Sequence, residues 1–438
     1  MPDDEQKRSY EELEREVARY RAVYEVMRAL GGTLDLDELL DLIITRITEV
    51  MAADRSSLFL IDWETRELWS KVAQGVRFME IRFPMDLGLA GAVATSGTCL
   101  NIPDAYHDDR FNQDFDKKTG YRTRSVLCVP MTNKEGERIG VIQVLNKKSE
   151  EPFDEDDEEL LCALANQAAV AVENSQLYED QKKSFISFVE TLSTAMDARD
   201  PITAGHSSRV TLYSLAIGEE LEYTEKQLEV LNAAALLHDV GKIGVPEVVL
   251  FKDGRLTDEE YKVIQTHALQ SLKILDKIHF VREQKEIPMM SATHHERLDG
   301  SGYPLGLRGD DIPEAGRVIA VGDIFDAITS RRHYRDRMEF LKVLSILDAE
   351  AENNHIQAEF VDAFKRLPLS RIVKILEEDN TELVPEDDMA IFDQVTLREL
   401  QNLLVKEEHA LSVVERDLVE RFRCAYDRCE DVSRPDMD

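Results

Sequence analysis

Seven side chains between residues 206 and 323 are of types that bind transition metals. His238 is followed directly by Asp239 in Leu236-Leu-His238-Asp239-Val-Gly241-Lys242, at the end of an apolar helical run. His206 precedes this stretch. His267 and the pair His294-His295 follow it, and Asp323 stands in Val-Gly-Asp323-Ile-Phe-Asp326. Neutral imidazoles with shared carboxylates suit Fe, Mn or Zn better than Ca or Mg. Two such ions lower the pKa of a bridging water toward neutrality, and they offset charge on a phosphate during in-line attack. Any one of these histidines alone would read as a satisfied core residue. Five of them with two carboxylates point instead to metal-assisted hydrolysis. His279, His355 and His409 fall outside the pattern.

The elements that must position these groups are helices. From about 183 to 378 the apolar spacing is almost wholly helical. Thr224-Glu-Lys-Gln227 and Thr257-Asp-Glu-Glu260 are capping boxes. The first opens a helix expected to run through His238-Asp239 and to stop at Gly241; the second opens one that carries His267. Neighbouring side chains on a helix point about 100° apart. His238 could then take one ion while Asp239 bridges to a second. Thr203 is read as the cap of the helix that begins near His206.

The matched text Ala198-Arg-Asp-Pro201, Gly205-His206-Ser, His238-Asp239-Val-Gly-Lys242-Ile-Gly-Val-Pro246, His267, His294-His295-Glu296, Asp299-Gly-Ser-Gly-Tyr-Pro304 and Asp323-Ile-Phe-Asp326-Ala resembles the HD-GYP phosphodiesterases, a branch of the HD hydrolase superfamily. The resemblance implies a metal-dependent enzyme that hydrolyses the bacterial second messenger cyclic di-GMP to pGpG, to GMP, or to both, by attack of a metal-bridging hydroxide. It implies that His206, His238, Asp239 and Asp323 hold one metal, and that Asp239 bridges to a second held with His267, His294 and His295. Lys242 would contact the scissile phosphate. Gly302, Tyr303, Pro304, Asp326 and Arg332 would bind substrate. No Glu lies in 197–205, where some relatives carry a further ligand, so two divalent ions, Fe or Mn, are expected, with Asp200 keeping a third open. The alternatives are a non-catalytic cyclic dinucleotide receptor and a hydrolase of another cyclic dinucleotide such as cyclic GMP-AMP.

The amino-terminal half has a different pattern. Leu36–Val50 is an amphipathic helix. Ser57–Ile61, Glu67–Val72, Glu80–Phe83, Ser125–Pro130 and Arg138–Leu145 read as strands. Thr132-Asn-Lys-Glu-Gly136 is a hairpin turn. The stretch Asn101-Ile-Pro-Asp-Ala-Tyr-His107, continuing to Tyr121-Arg-Thr-Arg124-Ser-Val-Leu-Cys-Val-Pro130, is similar to the GAF domains of cyclic-nucleotide phosphodiesterases and cyclases. Asn146-Lys147, Phe153 and Asp157-Glu158 match a signature of those domains. The resemblance implies an ion pair between Lys147 and Asp157 that supports a sensor-ligand pocket, with cAMP or cGMP as candidate ligand. The other reading is a purely structural ion pair.

The fold class expected is therefore α+β and multidomain: an α/β GAF sensor joined by a long helix to an all-α HD-GYP domain. The segments are an N-terminal helix at 1–30, the GAF domain at 31–175, a linker helix at 176–196, the phosphodiesterase domain at 183–378 and a helical extension at 379–438. The linker either carries a shift between domains or acts as a rigid spacer. Its apolar stripe, and near-heptad spacing at both ends of the chain, favour a homodimer. Residues 393–428 read as one helix, a second dimerising coil or a helix folded back on the catalytic domain.

Bulk composition fits these readings. At 438 residues with 43% hydrophobic content the chain supports two or three cores. A net charge of −34 argues against a general grip on nucleic acid. Five scattered cysteines without a CxxC pair exclude a disulfide framework and a zinc ribbon. No long apolar run and no apolar leader are seen, so a cytoplasmic protein without a membrane span is expected.

Overall fold

The computed structural model describes residues 35–70, 81–199, 205–252, 254–329, 338–376 and 384–428, with a few more between 17 and 33. It divides into two compact units, Met1–Ser184 and Phe185–Asp438.

In the first unit, strands β1 (Ala53–Asp62), β2 (Glu67–Ser70), β3 (Ile81–Pro84), β4 (Leu100–Ile102), β5 (Val126–Thr132) and β6 (Arg138–Lys147) form one sheet in the order β3-β2-β1-β6-β5-β4. Every pairing is antiparallel. Side chains alternate across a strand, and the two faces build separate cores. Leu58, Leu60, Ile142 and Val144 face α1 (Leu36–Val50) and the first half of α4 (Glu155–Arg199). Phe59, Phe83, Val126 and Val141 face α2 (Gly88–Ser96). Gly140 is required in β6, because a Cβ there would lie 2.6 Å from the Phe59 carbonyl oxygen. A short helix, α3 (Asp114–Thr119), precedes β5.

Ahead of α1, residues 23–29 are helical. Val26 is buried in the core while Tyr20, Tyr24 and Met27 stay exposed. The packed face thus centres on Val23 and Val26, and part of the near-heptad stripe faces outward. Leu13 lies outside the described residues.

Helix α4 runs 45 residues without Pro or Gly, and its first turn carries Glu155, Asp156, Asp157 and Glu158. Acidic groups there meet the positive end of the helix dipole. Lys147 Nζ reaches Asp157 Oδ2 at 2.5 Å and Asp154 at 3.5 Å, tying the end of β6 to the start of the helix.

The second unit is helical. Its elements are α5 (His206–Glu220), α6 (Glu225–Leu236), α7 (Glu247–Leu250), α8 (Asp258–Leu275), α9 (Ile287–Ala292), α10 (Glu314–Thr329), α11 (Phe340–Glu352), α12 (Ala358–Arg366), α13 (Leu369–Leu376), α14 (Glu386–Phe392), α15 (Leu397–Leu404) and α16 (Val413–Arg428). Both expected capping boxes are present, at Thr224/Gln227 and Thr257/Glu260. None of the helices in the described residues is long and apolar enough to cross a membrane.

Two expectations are corrected here. Helix α6 stops at Leu236, so His238-Asp239 sit in a turn leading into the 3-10 segment Val240–Gly244. The chain tightens because His238, Val240 and Lys242 donate to carbonyls three residues back, at Ala235, Leu237 and Asp239. The C-terminal segment is not one helix. Thr396 caps α15 through a box with Glu399, and α16 starts anew at Val413. Both helices fold into the main core, where Phe422 packs 4.8 Å from the Phe340 ring and Tyr426 Oη donates to the Met338 carbonyl.

Phe422→Ala is therefore expected to destabilise the second unit by about 3–5 kcal/mol, read by urea unfolding. A loss near zero would place this helix outside the core.

Candidate metal centre

Four of the ligand-type side chains are held from behind by local contacts. His206 opens α5, where Gly205 takes φ +71°. Asp197, near the end of α4, accepts the Gly205 N–H at 3.1 Å and the Ser207 hydroxyl at 3.3 Å. Three imidazoles share one arrangement. His238 Nδ1 lies 2.7 Å from the Ala235 carbonyl, His267 Nδ1 2.7 Å from Ile264, and His294 Nδ1 2.6 Å from Ser291. A carbonyl only accepts, so each Nδ1 must carry the proton. Each Nε2 is left as a lone pair, the form in which imidazole binds a metal.

These three Nε2 atoms are buried and have no hydrogen-bond partner among the described residues. Leaving a buried acceptor unsatisfied costs about 1–3 kcal/mol, and here three converge. Around them His206 Nε2 lies 3.3 Å from Asp323 Oδ1, and His238 Nε2 lies 3.4 Å from Asp239 Oδ2. The other oxygen of Asp239 lies 3.2 Å from His267 Nε2, and His295 Nδ1 is 3.7 Å from Asp323 Oδ2. His206, His238 and Asp323 form one set with ligand atoms within 4.8 Å of one another; His267, His294 and His295 form another, and Asp239 stands with His238 and His294. Two oxygens of one carboxylate thus face two clusters, the disposition a bridging ligand needs. The donor set, imidazole nitrogen and carboxylate oxygen, fits divalent transition metals.

Electrostatics agree with ligation. Burial depresses His267 and His294, and brings His295 down to about 4, so all three stay neutral. Burial works against charge on Asp239, but Lys242 and His238 outweigh it, and the carboxyl stays ionised. Asp323 is likewise ionised, burial being overcome by His206 and His295. Lys242 Nζ sits 2.5 Å from Asp239 Oδ2.

The turn carrying His238-Asp239 is pressed onto α8. Ser271 Oγ donates to the His238 carbonyl at 2.9 Å and accepts the Gly241 N–H at 2.8 Å. A Cβ at Gly241 would lie 2.0 Å from the His267 carbonyl oxygen. Gly241 is thus needed for close approach, not for ending a helix.

The expected substrate contacts fare differently. Asp326 is fully buried behind His206, accepting from its Nδ1 at 2.8 Å and from Arg209 Nε at 2.7 Å. It supports the His206 ring from behind and has no exposed surface; His206 and Arg209 overcome burial and hold it down to about 2. Burial works against charge on His206 too, but Asp323 and Asp326 outweigh it and raise it to about 10, so unlike His267, His294 and His295 it is held as a cation, and its Nε2 proton must leave before that nitrogen can bind an ion. Tyr303 lies against the centre, its ring 4.7 Å from that of His295. Gly302 is required, since a Cβ there would come 2.4 Å from the Arg297 nitrogen. Pro304 follows in the same loop. Arg332, like Thr203 and His333, lies outside the described residues.

Sequence reasoning assigned no role to Arg209, Asp197, Ser271 or Glu296. Glu296 is buried and accepts the N–H groups of Leu305, Gly306 and Leu307 at 2.6, 3.1 and 3.0 Å, which fastens the loop after His294-His295. Its position beside the His pair was the available signal. Arg209 stands one helical turn after His206.

In the first unit a cavity of about 330 Å³ is lined by Arg55, Phe59, Phe83, Asp116, Tyr121 and Gln143, among others. Lys147 and Asp157 pair as expected but do not line it. The link to the cavity is Asn146, which accepts the Arg124 and Ser125 N–H groups and donates to Tyr121 Oη at 2.8 Å.

Residues 190–360 match the family model of the HD domain and residues 35–172 that of the GAF domain, so the chain joins a GAF domain to an HD domain. Among curated relatives, the chain is 37% identical over 206 residues to 3'3'-cGAMP-specific phosphodiesterase 3 of Vibrio cholerae, covering 46% of this chain and 43% of that one. It is 34% identical over 196 residues to a cyclic di-GMP phosphodiesterase of Thermotoga maritima, covering 44% and 52%. It is 38% identical over 173 residues to the dual 3',5'-cyclic-AMP and -GMP phosphodiesterase 11A of Takifugu rubripes, covering 37% and 19%. The chain spans about half or less of the length of these relatives.

Asp326→Asn is expected to weaken divalent metal binding about 10- to 100-fold, measured by calorimetric titration of chelator-treated protein with Mn(II). Unchanged affinity would show that His206 needs no support from behind.

Proposed function

We propose that the helical unit hydrolyses a cyclic dinucleotide, with cyclic di-GMP as substrate and pGpG or GMP as product, under control of a small ligand in the GAF cavity. The observation that carries this reading is the convergence of three unpartnered imidazole nitrogens with His206, His295 and two ionised aspartates. Divalent ions bound there supply an activated water and offset charge on the phosphate. His238, Asp239, His206 and Asp323 would hold one ion, and Asp239 with His267, His294 and His295 would hold the second. Fe and Mn are the candidates by donor type. The neutral imidazoles come with their protons already on Nδ1, so binding an ion requires no tautomer change.

Lys242 lies at the edge of the centre beside Asp239, where its ammonium meets a phosphate oxygen. Tyr303 offers a ring face beside His295, suited to a base or ribose. Opening one phosphodiester of the ring releases a linear dinucleotide with a 5'-phosphate, and a second hydrolysis yields mononucleotides. A mixed cyclic GMP-AMP is a second reading, favoured by the name of the Vibrio cholerae relative. For the GAF cavity we propose cAMP or cGMP. Its size suits a mononucleotide, and Arg55, held over the Tyr121 ring at 4.1 Å, brings positive charge to the wall. The exposed Leu177 and Phe188 on α4, with Tyr20 and Tyr24, support a homodimer.

Under anaerobic Fe(II) or Mn(II) the purified chain should convert cyclic di-GMP to pGpG, and His238→Ala/Asp239→Ala should lose about 10³-fold or more, equivalent to about 4 kcal/mol in the barrier. Faster turnover of cyclic GMP-AMP would select the second substrate. Equal product from both proteins would overturn the hydrolase, and tight binding without product would make the chain a receptor.

A further inference from the structure

Outside the metal centre, two cysteines among the described residues stand together. Cys99, just before β4, and Cys162, on α4, are both half-buried and place their sulfur atoms 3.3 Å apart. They come from positions 63 residues apart in sequence. Their approach is held by a neighbouring contact, because Asn101 Nδ2 donates to the Phe153 carbonyl at 3.0 Å, keeping β4 beside the segment that enters α4. A disulfide needs sulfurs about 2.05 Å apart. The remaining gap is just over 1 Å shared by two side chains, within reach of small χ1 rotations.

We propose that Cys99 and Cys162 form a reversible disulfide that fastens the start of β4 to α4 when the protein meets a hydroperoxide. In the first step a thiolate sulfur attacks the peroxide, the O–O bond breaks, and a sulfenic acid and an alcohol or water result. In the second step the other sulfur attacks the sulfenic sulfur, the S–S bond forms, the S–O bond breaks, and oxygen leaves as water with the two protons. Two thiols are oxidised and one peroxide is reduced. A thiol reductant reverses the bond by exchange. Burial, and secondly the neighbouring Cys99, push the Cys162 thiol up to about 12. The third cysteine of this region, Cys128, is fully buried in β5 with its thiol pushed up by burial, which shields it from peroxide. Transient disulfides of this kind are the type found in reducing compartments.

The test uses the reduced full chain, treated with dilute hydrogen peroxide, alkylated, and digested without reduction for peptide mass mapping. The expected result is a peptide joining Cys99 to Cys162 in a band that migrates as a single chain. The link should vanish after thiol reductant, persist in Cys128→Ser, and be lost in Cys162→Ser. The proposal is overturned if the wild-type chain keeps both thiols alkylatable, carries them as unlinked sulfinic acids, or joins Cys99 to Cys128 or to a second chain.

Discussion

Three imidazole nitrogens buried together without a hydrogen-bond partner among the described residues are the constraint on which the second unit depends. Water would satisfy them at the surface, and a carbonyl cannot, because a neutral imidazole nitrogen lone pair accepts and does not donate. Their orientation is imposed from behind by the carbonyls of Ala235, Ile264 and Ser291. Those carbonyls are three residues back in the chain, at or near helix ends for His238 and His294 and within α8 for His267. The helices therefore set both the tautomer and the direction of each ring. His206 is held by a different device, a carboxylate that is itself neutralised by Arg209. The glycines at 241 and 302 let the supporting segments come close enough for the rings to converge. Burial that would be costly for a charged side chain becomes useful here, since it keeps His267, His294 and His295 neutral.

The residue types of the centre were legible in the chain because metal chemistry demands few side chains, and their spacing followed helix starts and ends. Capping boxes at Thr224 and Thr257 were legible for the same local reason. Five strands of the sheet were readable from their residue patterns, and Leu36–Val50 from its periodicity; the three-residue β4 was too short to show one. What could not be read was long-range. Asp326 shares its motif with Asp323, yet its place one turn on sets it behind the His206 ring and against Arg209. Glu296 looks like part of a metal motif, and its partners are backbone N–H groups nine to eleven residues later. Gly241 has the look of a helix stop; its cause is the approach of α8. The tail pattern at 397–422 has heptad-like spacing, and only the packing against Phe340 shows which core it serves.

The GAF unit shows the same division between local and distant causes. The Lys147–Asp157 pair is a helix-start device, with an ammonium at the acidic first turn of α4. The residue before it does the work nearer the cavity: the Asn146 side chain binds the 121–125 segment through four hydrogen bonds, one of them to Tyr121. Adjacent residues thus connect the cavity wall to the end of β6 and to the start of a 45-residue helix.

The most direct measurement is anomalous X-ray diffraction from crystals of the Mn(II)-loaded protein. The account predicts two peaks per chain about 3.5–4 Å apart, with Asp239 between them, His206, His238 and Asp323 around one, and His267, His294 and His295 around the other. A lack of density among these residues, or metal bound elsewhere in the chain, would contradict it.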